Sequence, residues 1–164
     1  IVDLGSAGGG TNFYGRYESD PAGLDSTYAW LVDANGNAST ESVYSEDVDQ
    51  YSIVYHSNYL KYFERARTEW LLANNLNLTS CAQQGHYFVV SNANIDFKKP
   101  LKLHDKFIVD CEIQSHTKAS LTFKQTIKCL DKKMIFCSAQ ILLININESG
   151  KITRIPNSIK EILT

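Results

Sequence analysis

The chain has 164 residues, 43% hydrophobic and 21% charged, with a formal net charge of −2, the profile of one ordinary globular domain. No apolar run approaches the roughly 18 to 20 residues that a membrane-spanning helix needs, and neither sign of charge gathers into a block, which argues against a dedicated nucleic-acid binder. The opening IVDLGSAGGG lacks the basic start and apolar stretch of a secretory signal, so the expectation is a cytoplasmic protein whose partners are small molecules or proteins.

Residues 1–40 hold seven of the nine glycines and no lysine, and they read as an N-terminal extension of unknown role beside a domain spanning 41–164. VDLGSAGGG resembles the glycine-rich first motif of methyltransferases that bind S-adenosylmethionine, but that fold needs a parallel sheet that forty residues cannot supply.

The segment DVDQYSIVYHSNY, residues 47–59, crowds two acids, a histidine and several tyrosines in front of a helical run. Ser57 or Asn58 suits a helix cap, because such side chains accept bonds from unpaired backbone N–H groups. From 58 to 74 the pattern is helical: Tyr59, Phe63, Ala66 and Trp70 form an apolar stripe, with Lys61, Glu64, Arg65 and Glu69 on the other side.

From residue 86 the period becomes two. HYFVVSNANIDF places Tyr87, Val89, Ala93, Ile95 and Phe97 on one face. KFIVDCEIQS sets Phe107, Val109, Cys111 and Ile113 against Ile108, Asp110, Glu112 and Gln114, and SLTFKQTIKC sets Leu121, Phe123, Ile127 and Cys129 against polar residues. KMIFCSAQILLININ is apolar on both faces and reads as a central strand or one covered on both sides. LDKK and NESGK are turns, and IPNSIKEILT suggests a short closing helix. The fold class is therefore α+β, an antiparallel sheet covered by one long helix. The four cysteines lack metal-binding spacing and read as reduced thiols, so neither a metal nor a cofactor is expected. Lys98, Lys99 and Lys102 read as a solvated strand end.

EDVDQYSIVYHSNYLKYFERARTEWL resembles the signature of the 4-hydroxybenzoyl-CoA thioesterase-like hotdog family, most closely its Tol-Pal-associated acyl-CoA thioesterase branch. FVVSNANIDFKKPLKLHDKFIVDCEI, KASLTFKQTIK and IPNSIKEIL are similar to later family segments, so the likeness runs from near Val43 to the C-terminus. It implies a hotdog fold, in which the sheet wraps a central helix, and a homodimer or homotetramer with the active site at the subunit interface. It further implies hydrolysis of acyl-CoA, with acyl carrier protein as a second carrier. A binding module that keeps the fold without turnover is the alternative.

By that resemblance Asp49 is the catalytic carboxylate, acting as nucleophile or as general base. The backbone N–H of His56 polarises the thioester carbonyl, while its imidazole either positions substrate or is structural. Asp47 reads as an exposed or structural acid. Tyr55, Tyr59 and Phe63 are expected along the acyl group, and Lys118 and Ser120, in the turn SHTKAS, near the CoA phosphates. Tyr51 and Ser52 stand where the family commonly carries small residues, often glycine, which points to a re-shaped loop beside Asp49 or a narrowed pocket.

Overall fold

A computed structural model describes residues 41–161 apart from 75 and 132; the N-terminal extension expected over 1–40 lies outside the described residues. In chain order the elements are β1 (Glu41–Ser42), a single 3-10 turn (Ser45–Asp47), α1 (Asn58–Ala73), α2 (Leu78–Gln83), β2 (Tyr87–Phe97), β3 (Lys106–His116), β4 (Ser120–Cys129), β5 (Ile135–Ile146) and α3 (Asn157–Lys160). One sheet of order β1-β3-β4-β5-β2, antiparallel at every junction, is laid against α1. This is the expected α+β hotdog arrangement. No helix among the described residues is long and apolar enough to cross a membrane.

The helix sits where its stripe demands. Tyr59, Phe63, Ala66 and Trp70 are buried, joined by Tyr62 and Leu71, which widen the stripe to i, i+3, i+4, i+7. Trp70 stands edge-on to Phe123 of β4 with centroids 5.5 Å apart, and Tyr62 leans on Phe107 of β3 at 4.8 Å. A polar strut crosses the same interface. Arg67 Nη1 donates to Gln125 Oε1 at 2.8 Å, and Gln125 Nε2 donates to the Phe63 carbonyl at 2.9 Å. Arg67 also pairs with Glu64 at the surface. The apolar periodicity could not announce this strut, because it sets a cation and an amide on core positions.

Two strand expectations need correction. In β2 a bulge between Val90 and Asn92 inserts one residue, so alternation changes face partway along. Before the bulge Phe88 and Val90, rather than Tyr87 and Val89, pair beside the core residues Asn145 and Leu143 of β5; after it Ala93, Ile95 and Phe97 lie on that face as expected. In β3 the face expected to be polar is buried at Ile108 and Asp110. Asp110 is tolerated there because Lys128 of the neighbouring strand neutralises it. The run apolar on both faces is β5, a strand bonded on both edges, to β4 and β2.

Candidate active site

The segment ahead of α1 is a small hairpin. Val48 bridges Val54, and between them the Asp49 N–H donates to the Ile53 carbonyl at 2.9 Å while the Ser52 N–H donates to the Asp49 carbonyl at 3.0 Å. Asp49 Oδ1 accepts from the Tyr51 N–H at 2.8 Å, an Asx turn. The same construction recurs at the end of β5. There the Asn147 N–H donates to Lys151, the Gly150 N–H to Asn147, and Asn147 Oδ1 accepts from Ser149 and Lys151. The left-handed position is Gly150 (φ 74°) in that turn and Ser52 (φ 59°) in this one. Ser52 thus occupies a conformation that costs a residue with a Cβ roughly 1–2 kcal/mol. The turn makes the same bonds as its sister although Ser52 stands where the sister has glycine, and Tyr51, 73% exposed, projects into solvent.

The hairpin is fastened to the helix through Asp47, which is buried and structural rather than exposed. Its carboxylate accepts from the Tyr44 N–H at 3.1 Å, and its carbonyl accepts from the Tyr55 N–H at 2.9 Å and from Asn58 Nδ2 at 2.9 Å. Burial first, and then the neighbouring Asp47 carboxylate, push the Tyr62 phenol well above its ordinary range. No well-aligned hydrogen bond joins the two, and the Tyr62 hydroxyl has no hydrogen-bond partner among the described residues.

Neither expected cap operates. Ser57 occupies the cap position with helical angles and makes no side-chain bond to the first turn, while Asn58 spends its amide on Asp47. Asn58 N–H closes a turn onto the Tyr55 carbonyl at 2.8 Å, so the chain begins to coil at His56. The His56 N–H finds no acceptor among the described residues. An uncapped helix start of this kind offers bare donors and a partial positive field.

That start opens on a groove of about 330 Å³ lined by Ile53, Val54, His56, Tyr59, Phe97, Lys98, Lys99 and Pro100. Leu101 sutures its two walls together. Its N–H donates to the Tyr59 hydroxyl at 3.1 Å, and its carbonyl accepts from the Val54 N–H at 2.8 Å. Burial raises the Tyr59 phenol pKa, opposed by that bond from Leu101, and the Tyr59 ring stands edge-on to Phe97 with centroids 5.2 Å apart.

Of the residues singled out from the sequence, His56 and Tyr59 share this groove. Asp49 sits at the tip of the adjoining hairpin, across the Val48–Val54 bridge from His56, and is not part of the wall. Tyr55 is exposed and its ring lies tilted against that of His56, with centroids 4.3 Å apart. Phe63 is wholly buried in the core and does not line this groove. Lys118 and Ser120 lie at the other end of the sheet, in the β3–β4 turn, where Thr117 and Ser120 hydroxyls bond at 2.7 Å. Phe97 pairs with Cys137 and Cys137 with Ile127, so Ser120 stands seven residues, or about 23 Å, along β4 from the level of the groove. Lys98 and Lys99, read from sequence as solvated, are on the wall. Pro100, which ends the strand beside them, was the one local sign that they belong to a shaped turn.

Residues 43–163 match the model of the thioesterase-like superfamily. The acyl-CoA thioesterase YbgC of Haemophilus influenzae is 39% identical over 92 residues, covering 56% of this chain and 68% of that protein. The acyl-CoA thioester hydrolase YbgC of Escherichia coli is 31% identical over 102 residues, covering 62% and 75%. A solved structure from Bartonella henselae, described as a probable thioesterase, superposes with a TM-score of 0.66 at 30% identity, covering 72% of this chain and 97% of that one. With its sheet order, its single long helix and this match over most of its length, the chain belongs to the thioesterase-like superfamily of hotdog proteins.

Proposed function

We propose that the protein is an acyl-CoA thioesterase in which Asp49 supplies the carboxylate and the His56 N–H holds the carbonyl oxygen. The observation that carries this reading is the bare His56 N–H at an uncapped helix start, on the wall of a groove beside the Asp49 hairpin. As the thioester carbonyl becomes tetrahedral its oxygen gains negative charge, which a fixed N–H donor stabilises more than it stabilises the substrate. Asp49 has Oδ1 tied into its own turn and Oδ2 without a hydrogen bond among the described residues. The untied oxygen either attacks the carbonyl carbon, expelling CoA thiolate and leaving a mixed anhydride for water to open, or takes a proton from an attacking water.

The assembly is part of the proposal. Among the described residues β2 is an edge strand with one open side, and its Val90 and Phe97 are about half exposed. Antiparallel pairing of β2 with a second copy about a two-fold axis covers that edge. It also lays the Tyr87 end of one sheet beside the Phe97 end of the other, carrying the β3–β4 turn of the second copy, with Lys118 and Ser120, toward the first copy's groove. A tetramer follows if such dimers stack. The reading places the reaction in the cytoplasm, where acyl-CoA is found and thiols stay reduced; all four cysteines are free. Acyl carrier protein is a second possible donor of the thioester.

A non-catalytic binding module is favoured by one observation, that Asp49 does not line the groove of a single chain. Incubation with acyl-CoAs of increasing length, read by release of free thiol, separates the two. Turnover supports the enzyme; a raised melting temperature with acyl-CoA and no thiol release supports the binder.

A further inference from the structure

We propose that Lys98 and Lys99 form an anion-binding lip that selects short acyl groups ending in a carboxylate; the inference rests on the thioesterase reading. The groove's other walls are apolar or aromatic except for His56, so two adjacent cations on its rim are the feature that an all-hydrocarbon acyl chain leaves unused. Their backbones are fixed, since both N–H groups donate to the Phe136 carbonyl, at 2.9 and 3.0 Å. Lys98 pairs with Asp96 on the surface, with the two side chains 44% and 63% exposed. A contact of that kind is weak and exchangeable. The Lys99 ammonium has no carboxylate partner among the described residues.

Reach decides which anion the pair meets. A compact groove of 330 Å³ is roughly 9 Å across, at the small end for ligand sites. The lip therefore lies a few carbon atoms from the carbonyl bound at His56. The phosphate of a pantetheine arm is thirteen bonds from the sulfur, about 15 Å when extended, beyond the far wall. A carboxylate at the end of a four- or five-carbon acyl group spans the shorter distance, with its methylenes on Ile53, Tyr59 and Phe97 and its charge at the lip. Ammonium groups on flexible stems suit such a terminal charge, and a bound carboxylate gains an attraction to them that the uncharged analogue lacks.

The test compares glutaryl-CoA with pentanoyl-CoA, which differ only by carboxylate for methyl, and repeats both as N-acetylcysteamine thioesters that carry no phosphate. Wild-type protein is expected to favour the glutaryl thioester at least tenfold in kcat/KM in both series. K98M/K99M is expected to lose at least tenfold on glutaryl and less than twofold on pentanoyl substrates, while Lys102→Met, off the wall, leaves the ratio unchanged. Equal glutaryl and pentanoyl rates in wild type, or an unaltered ratio in the double variant, overturns the lip. So does a loss confined to the CoA series and equal for both acids, which assigns the lysines to the carrier's phosphates. If wild type releases no thiol from any thioester, the thioesterase reading itself fails. The lip is then judged by calorimetry with a non-hydrolysable glutaryl-CoA thioether, whose binding is at least tenfold weaker in the double variant if the lip exists and unchanged if it does not.

Discussion

Replacing Gln125 by alanine removes the strut between α1 and β4, and its cost can be worked from the contacts. Gln125 is fully buried, and the Arg67 side chain is 4% exposed. The substitution deletes a bond from a cation to Gln125 Oε1, worth about 1.5–3 kcal/mol, and a neutral bond to the Phe63 carbonyl, worth about 0.5–1.5 kcal/mol. It also leaves Arg67 with Glu64 as its remaining side-chain partner among the described residues, a carboxylate 54% exposed. With the vacated volume, the expected loss is about 3–5 kcal/mol, the range found when a buried charged network loses one member. Urea unfolding followed by tryptophan fluorescence at fixed protein concentration reads this as a lower midpoint with an unchanged slope. Glu64→Gln is the control and is expected to cost about 1 kcal/mol or less, because that carboxylate is half in water. A loss below about 1 kcal/mol for Gln125→Ala, or an equal loss for Glu64→Gln, refutes the assignment of the strut to the buried pair.

Ser52→Gly relieves the left-handed strain that Gly150 avoids in the sister turn. Less the added freedom of glycine in the unfolded chain, it should raise stability by about 0.5–1 kcal/mol, and a lower melting temperature contradicts the turn comparison. Tyr59→Phe removes the acceptor for the Leu101 N–H, a loss of about 1–3 kcal/mol for a buried unpaired donor. Because that bond joins the groove walls, KM for the best substrate should rise as well, and an unchanged KM argues against the suture. Burial pushes the Cys137 thiol up to about 12 from an ordinary 9.0. A thiol with a raised folded pKa stabilises fully below the unfolded value and loses that contribution as pH climbs toward the folded one. Stability should therefore fall between about pH 9 and 12, and Cys137→Ala should flatten that limb; an unchanged limb rejects the cause.

Much of the fold was legible because burial repeats. The helical stripe and the β3 and β4 alternations were read from apolar spacing alone, and each of those core faces is buried. The extra residue in β2 escaped because Ser91 and Asn92 leave no apolar mark where the period slips. Polar groups hid the rest. Arg67, Gln125, Asp47 and Asn58 are buried by partners distant in sequence, and no local pattern distinguishes them from surface residues. At the site, the motif drew attention to Asp49, His56 and Tyr59. It gave no warning that Ser57, with helical backbone angles, leaves the helix uncapped, or that Lys98 and Lys99 turn onto the groove, which depends on how Leu101 draws the two segments together.

The central claim is a charge at position 49, and the sister turn supplies a clean way to remove it. Asn147 builds the same turn with an amide oxygen, so Asp49→Asn is expected to keep the hairpin and the melting temperature while removing the carboxylate. Thiol release from the best acyl-CoA substrate should then fall at least a hundredfold, with circular dichroism and oligomeric state unchanged. Full turnover in that folded variant contradicts the account.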